Sequence, residues 1–154
     1  VAQYGGDPDR IFIFGHSSGA SHLATYALHK AYQPQGGPPV AGLILMSGLY
    51  GPDMELGDKR QIAYYGEDTS RYPEMSAIRN LGPASMPIYI LFSEYDGYPF
   101  QKAGLALLRE VAERDQDCPW FTLVHRHNHM SQLLSINSEV DPVGPDLLAF
   151  IEAH

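Results

Sequence analysis

The sequence is poor in cysteine, in basic residues and in long apolar runs. Its single cysteine, Cys118, cannot form an internal disulfide, so the fold must rest on a hydrophobic core. No apolar run is long enough to span a bilayer. The 10 Lys and Arg residues form no cluster and are outnumbered by 18 Asp and Glu residues. The resulting charge of -8 argues against nucleic acid and anionic membranes as partners, and we expect a cytoplasmic location.

What the sequence does contain is an apolar run that stops at a glycine. Residues 11–14, Ile-Phe-Ile-Phe, lack alternation, as in a strand buried on both faces of a parallel sheet. Gly15, Ser17 and Gly19 then fit G-x-S-x-G, the pattern of a strained strand-to-helix corner that exposes its serine. We predict that both glycines are sterically required. Ser17 is the candidate nucleophile, and the alternative is a Gly/Ser turn without chemistry.

Strand and helix patterns alternate along the rest of the chain. Apolar residues at helical spacing predict a helix over 18–32, with His22 and His29 on its surface. Other patterns predict strands at 40–46, 87–92 and 120–124, and helices at 100–115, 131–136 and 144–152. This alternation predicts a single α/β domain, in which helices cover both faces of a mostly parallel sheet.

Residues 49–82 interrupt the alternation with proline, glycine, charged residues and tyrosines. We predict one or two short helices here, at 58–65 and 76–80, lying over the carboxyl edge of the sheet as a lid or pocket wall. An ordinary long connection whose tyrosines pack locally is the alternative.

Two acidic residues, Glu94 and Asp96, follow the predicted strand at 87–92. In open α/β sheets, the side chains that bind ligands lie at the carboxyl ends of the strands. Asp96 is preferred because it is shorter and precedes Gly97, where the chain can turn to present it. Its alternative roles are a helix cap or a solvated charge.

Three histidines alternate after the last predicted strand. His125 and His127 belong to the strand end, whereas His129 lies in the following loop, from which a general base can reach Ser17. The same three side chains have the spacing of metal ligands on one strand face, but no Cys, Asp or Glu lies nearby in sequence to complete a zinc set. We therefore predict His129 as the base and no metal site.

Several of these segments resemble the carboxylesterase and kynurenine-formamidase-like branch of the α/β-hydrolase superfamily. They are Gly-Gly-Asp-Pro-Asp-Arg-Ile at 5–11, Gly-His-Ser-Ser-Gly-Ala at 15–20, His-Leu-Ala at 22–24 and Asn-His at 128–129. The resemblance implies that Ser17 is the nucleophile, Asp96 the acid and His129 the base. It also implies that the Ser18 amide is half of the oxyanion hole and that no cofactor is needed.

Members of that family carry further strands and a His-Gly-Gly type loop before the serine. The present sequence starts just before its first strand, so we expect it to be the carboxyl-terminal portion of a longer enzyme. The expected substrate is a small carboxylic ester. Alternatives are a formamide, as in an arylformamidase, or an inactive module that pairs through an exposed sheet edge with itself or with a missing N-terminal portion. Candidate pocket residues are His16, Tyr50, Met54, Tyr64, Tyr65, Tyr72, Tyr98 and Phe100.

Overall fold

The centre of the molecule is a four-stranded parallel sheet. The computed structural model describes residues 1–52, 59–83 and 86–154. The strands are β1 (Phe12–His16), β2 (Gly42–Met46), β3 (Ile88–Tyr95) and β4 (Trp120–Asn128). Their order in the sheet is their order in the chain, and every neighbouring pair is parallel. Because parallel neighbours need a crossover, helices connect the strands, and the predicted fold class is confirmed.

Within the described ranges, six helices accompany the sheet. They are α1 (Ser18–Leu28), α2 (Lys59–Tyr65), α3 (Tyr72–Met75), α4 (Tyr98–Asp115), α5 (Ser131–Leu134) and α6 (Gly144–Ala153). Two single-turn 3-10 helices lie at Ala2–Tyr4 and Thr69–Arg71.

The two faces of the sheet bury separate apolar clusters, because side chains alternate along β2 and β3. On one face, Leu43 and Ile90 pack with residues of α1 and α4, including Ala24 and Leu107. On the other face, Ile44, Met46, Tyr89 and Leu91 pack with Val143 and with Phe150 of α6. Both faces are thus covered by helices, and the strand ends stay free for polar side chains.

Strand β1 is less buried than its sequence predicts. It lies at one edge of the sheet and, among the described residues, its strand partner is β2. Phe14 is 40% exposed and Ile13 is half-buried. The apolar run predicted neighbours on both sides, and the described part of the chain places one there.

The first helix is shorter than predicted, and one of its two histidines is misassigned. The helix ends at Leu28, because His29 turns to extended backbone. His29 is 2% exposed rather than at the surface. Its Nδ1 accepts from the N–H of Ala31 and its Nε2 is 2.8 Å from the carbonyl oxygen of Glu74. Because both ring nitrogens are hydrogen-bonded, His29 joins the end of α1 to the excursion, the segment of residues 49–82 that follows β2.

That excursion contains one predicted helix and one wrong prediction. Helix α2 matches the prediction for 58–65, although residue 58 lies outside the described residues. The helix predicted at 76–80 is absent there, and α3 precedes it. The chain leaves α3 at Ser76, where the Asn80 side chain donates to the carbonyls of Pro73 and Ser76. These bonds stabilise a turn instead of another helix. A lid or pocket-wall role for 49–82 stays a prediction.

Candidate active site

Ser17 lies at a sharp corner between β1 and α1. Its φ of 56° and ψ of -122° are unusual for a residue with a side chain. The corner is fixed because the Ser17 N–H donates to the Met46 carbonyl at 2.9 Å. A Cβ on Gly15 would lie 2.7 Å from the backbone of Gly19 and Ala20, so this glycine is sterically required.

The predicted steric requirement at Gly19 is wrong. A Cβ built on Gly19 meets no atom within 4 Å among the described residues. Gly19 occupies the first turn of α1, where a side chain points away from the corner. The crowding therefore acts on one side of Ser17 only, where β1 passes beneath the start of the helix.

Ser17, His129 and Asp96 form one continuous hydrogen-bonded chain. The Oγ of Ser17 is 2.9 Å from Nε2 of His129, and Nδ1 of His129 is 2.8 Å from Oδ1 of Asp96. The carboxylate is fully buried and the imidazole side chain is 25% exposed. The three residues follow β1, β3 and β4, so the parallel sheet brings together positions that are 33 and 112 residues apart.

The second oxygen of Asp96 has partners that the sequence did not reveal. Ser47 follows β2 and its hydroxyl donates to Oδ2 of Asp96. The side-chain amide of Gln132, in α5, is 2.6 Å from the Ser47 oxygen and 3.5 Å from the same Oδ2. The available signal was the position of Ser47 directly after an apolar strand. No comparable signal marks Gln132, because its neighbours in space are distant in sequence.

Two aromatic rings contact the His129 imidazole. The centroid of Phe100 is 4.3 Å away and that of His16 is 4.6 Å away. Nε2 of His16 also lies 2.8 Å from the His129 carbonyl oxygen. Burial lowers the pKa of His16, although its hydrogen bond to the His129 carbonyl acts in the opposite direction. His16, predicted as a pocket residue, thus packs against the candidate base.

The other predicted site residues are more scattered. Tyr50 is 2% exposed within the core, its hydroxyl accepts from the Gly48 N–H, and burial raises its pKa. It therefore packs inside the loop after β2 instead of facing a ligand. Tyr98 begins α4 and is 72% exposed. Met54 lies outside the described residues. The predicted pocket residues Tyr64, Tyr65 and Tyr72 contact one another in sequence through edge-on or tilted rings, and Tyr64 also contacts His22 of α1 edge-on.

Glu94, the alternative acid, lies away from His129. Its carboxylate accepts from the Arg126 N–H at 2.8 Å and lies 3.4 Å from Nδ1 of His125. The Arg126 bond, the largest cause, lowers the pKa of Glu94, and the His125 contact adds to it. Among the described residues, no group of three or more His, Cys, Asp or Glu side chains is placed to hold a metal ion.

Several solved structures share this architecture. A carboxylesterase, Cest-2923 from Lactobacillus plantarum WCFS1, superposes with a TM-score of 0.66 at 22% identity, over 92% of this chain and 53% of its own. Esterase 2 of Thermogutta terrifontis superposes with a TM-score of 0.63 at 15% identity, over 99% of this chain and 56% of its own. The chain has the α/β-hydrolase fold.

Esterase B from Lactobacillus rhamnosis HN001 shares the α/β-hydrolase fold as well, with a TM-score of 0.66 at 17% identity over 96% of this chain. The present chain spans about half the length of these solved chains. No family model and no curated protein matches the sequence. Within the described residues, no helix is both long and apolar enough to cross a membrane.

Proposed function

We propose that this chain carries the nucleophile, base and acid of a serine hydrolase that cleaves small carboxylic esters. The observation that supports the proposal is the hydrogen-bonded chain from Ser17 Oγ through His129 to Asp96. A serine hydroxyl is too weak an acid to attack a carbonyl at neutral pH without a base to take its proton. An imidazole held by a buried carboxylate supplies that base.

In the proposed reaction, Nε2 of His129 takes the hydroxyl proton as Ser17 Oγ attacks the ester carbonyl. Asp96 accepts from Nδ1–H, which keeps Nε2 free of a proton beforehand and stabilises the imidazolium afterwards. His129 then gives its proton to the departing alcohol, leaving an acyl group on Ser17. Water, deprotonated by the same imidazole, attacks the acyl carbonyl; the bond to Ser17 Oγ breaks, His129 returns the proton to that oxygen, and the carboxylic acid is released.

The negative charge that develops on the carbonyl oxygen needs hydrogen-bond donors. The N–H groups of the first helical turn have no partner inside a helix, and α1 begins at Ser18. We assign the Ser18 amide as one donor of the oxyanion hole. Removing one donor from such a hole costs about 100-fold to 1000-fold in kcat. Because one donor is assigned, we expect the chain to turn over its substrate slowly.

The preference for esters rests on two supports. Three solved structures that share this fold are named as a carboxylesterase or an esterase. Two apolar side chains lie beside the candidate base: Phe100 packs on the His129 ring, and Met130, the next residue in the chain, is 52% exposed. Such surroundings suit short acyl or aryl groups.

Covalent labelling tests the proposal without requiring fast turnover. The chain is incubated with a fluorophosphonate, and the modified peptide is identified by mass spectrometry. We expect labelling at Ser17, loss of it in Ser17→Ala, and full labelling of the control Ser138→Ala, which changes an exposed serine away from the site. A chain that is folded by circular dichroism yet unlabelled would contradict the proposal.

Substrate preference is measured on the same protein. We expect p-nitrophenyl acetate to be hydrolysed faster than N-formylkynurenine, with both activities absent in Ser17→Ala. A higher rate on the formamide would make the chain an amide hydrolase and overturn the ester assignment while leaving the nucleophile in place.

A further inference from the structure

The buried pair Ser47 and Gln132 contacts the acid of the candidate site from behind. Resting on the proposed function, we infer that these two residues are positioning residues: they fix the Asp96 carboxylate and the His129 loop so that one tautomer of the imidazole faces Ser17. In the described part of the chain, no hydrogen bond joins the side chain of either residue to Ser17. Ser47 acts through Asp96, and Gln132 acts through Ser47 and the His129 backbone.

The direction of each hydrogen bond around Ser47 is set by chemistry. An ionised carboxylate only accepts, so the Ser47 hydroxyl must donate its single hydrogen to Oδ2 of Asp96. The Ser47 oxygen then remains free as an acceptor, and Nε2 of Gln132 donates to it at 2.6 Å. Donation therefore runs from Gln132 through Ser47 to Asp96.

The same amide group of Gln132 also holds the base. Its nitrogen lies 3.1 Å from the carbonyl oxygen of His129, so its two hydrogens serve Ser47 and His129. Exchanging the amide oxygen and nitrogen would point an oxygen at the acceptors of Asp96 and His129 together. One orientation of Gln132 is consequently fixed by its surroundings. The side chain links the loop carrying the base to the strand end behind the acid.

Both residues are held in unfavourable states. Ser47 is 1% exposed and has a φ of 51°, a left-handed conformation that is strained for any residue with a side chain. Gln132 is fully buried, and its Oε1 has no hydrogen-bond partner among the described residues. An unpaired buried acceptor is destabilising because it has lost its hydrogen bonds to water. Packing alone would favour a glycine at 47 and an apolar side chain at 132, so these two side chains are placed for their hydrogen bonds.

The expected benefit is the orientation of Asp96. Oδ1 of Asp96 accepts a hydrogen bond from Nδ1–H of His129, and Oδ2 accepts one from the Ser47 hydroxyl. Rotation of the carboxylate would break both bonds. A fixed carboxylate selects the imidazole tautomer with its hydrogen on Nδ1, and that tautomer leaves Nε2 ready to accept from Ser17.

The first test compares three serine variants by the rate of fluorophosphonate labelling at Ser17. Ser47→Gly removes the hydroxyl and relieves the positive φ, so it should fold at least as well as Ser47→Ala. Ser93→Ala is the matched control, because Ser93 is fully buried on β3 and its Oγ has no partner in the described part of the chain. We expect about 10-fold to 100-fold slower labelling in both Ser47 variants, the effect typical of outer residues that orient a histidine at a metal, and an unchanged rate in Ser93→Ala.

The second test reads the imidazole directly by NMR and needs no activity. In the parent chain we expect ring nitrogen shifts of a single Nδ1–H tautomer of His129 and a slowly exchanging Nδ1 proton. In Ser47→Gly and Gln132→Met we expect mixed-tautomer nitrogen shifts and at least 10-fold faster exchange of that proton. Ser93→Ala should match the parent.

These readouts separate the inference from the proposed function. If the parent chain is never labelled at Ser17, the hydrolase proposal fails, while the NMR comparison still decides whether Ser47 and Gln132 orient His129. Unchanged nitrogen shifts and proton exchange in the variants overturn the inference, even where labelling slows. Slower labelling together with a disturbed tautomer supports both.

Discussion

Nε2 of His16 lies 2.8 Å from the carbonyl oxygen of His129, although 113 residues separate the two in sequence. A carbonyl oxygen only accepts, so His16 carries its hydrogen on Nε2. The two rings are also in contact, with their centroids 4.6 Å apart. The residue that precedes the candidate nucleophile therefore binds the backbone of the candidate base.

This contact predicts that acid destabilises the fold through His16. Burial, the largest cause, lowers its pKa; the hydrogen bond to the His129 carbonyl opposes this shift without cancelling it. The unfolded chain therefore takes up a proton at His16 first, and the free energy of unfolding should fall as pH drops below about 6.5. Urea titrations at several pH values between 7.5 and 5 measure the slope. His16→Gln should show a shallower slope than the parent chain, and equal slopes would contradict the prediction.

A pair of glycine substitutions tests the geometry of the corner. Gly15→Ala places a methyl group 2.7 Å from backbone atoms that cannot move independently, so we expect a loss of several kcal/mol in the free energy of unfolding, on the order of the larger core clashes. Gly19→Ala meets open space in a helical position and should gain about 0.5–1 kcal/mol. Denaturant titration of both variants provides the comparison. Similar effects at the two positions would show that the crowding is not one-sided.

Tyr89 predicts an alkaline limit to stability. Burial, with the nearby Asp146 carboxylate, raises its pKa to about 12, although its bond to Thr122 partly offsets this. The tyrosine of an unfolded chain ionises near pH 10. Stability contributed by the neutral phenol is therefore complete below pH 10 and is lost as pH rises toward 12. Chemical denaturation between pH 9 and 11.5 should show a smaller decline for Tyr89→Phe. A decline as steep as that of the parent would assign the effect to other groups.

The edge strand predicts self-association of the isolated chain. In the part of the chain that the structure describes, β1 has a strand partner on one side only, and the ring of Phe14 is exposed. We expect analytical ultracentrifugation to show concentration-dependent association that Phe14→Lys weakens at least 10-fold. Leu134→Lys is the control, since Leu134 is 72% exposed on α5 and away from the sheet edge. Equal weakening by both variants would indicate a general effect of charge.

The sequence predicted those features that depend on short-range patterns. Apolar runs located all four strands, and helical spacing located the main helices, because burial periodicity reflects local backbone geometry. The order of serine, acid and histidine after successive strands predicted the three residues that the sheet brings together. Their catalytic roles and the substrate stay proposals.

Features that depend on tertiary contacts were not predictable in the same way. Ser47 and Gln132 are 85 residues apart, and each resembles an ordinary loop or helix residue in sequence. The burial of His29 depends on a carbonyl 45 residues away. The open space at Gly19 depends on how the helix leaves the strand. In each case the deciding neighbour is brought in by the fold.

The agreement between strand order and chain order has a consequence for synthesis on the ribosome. Each strand can join the sheet as it emerges, beside the one made just before it. Ser17 and its corner with Met46 can form early, whereas His129 emerges only after β4. If the proposed function is correct, Ser17 lacks its base until that point in synthesis. A nascent chain that stalls before β4 would then present a serine that does not react with esters.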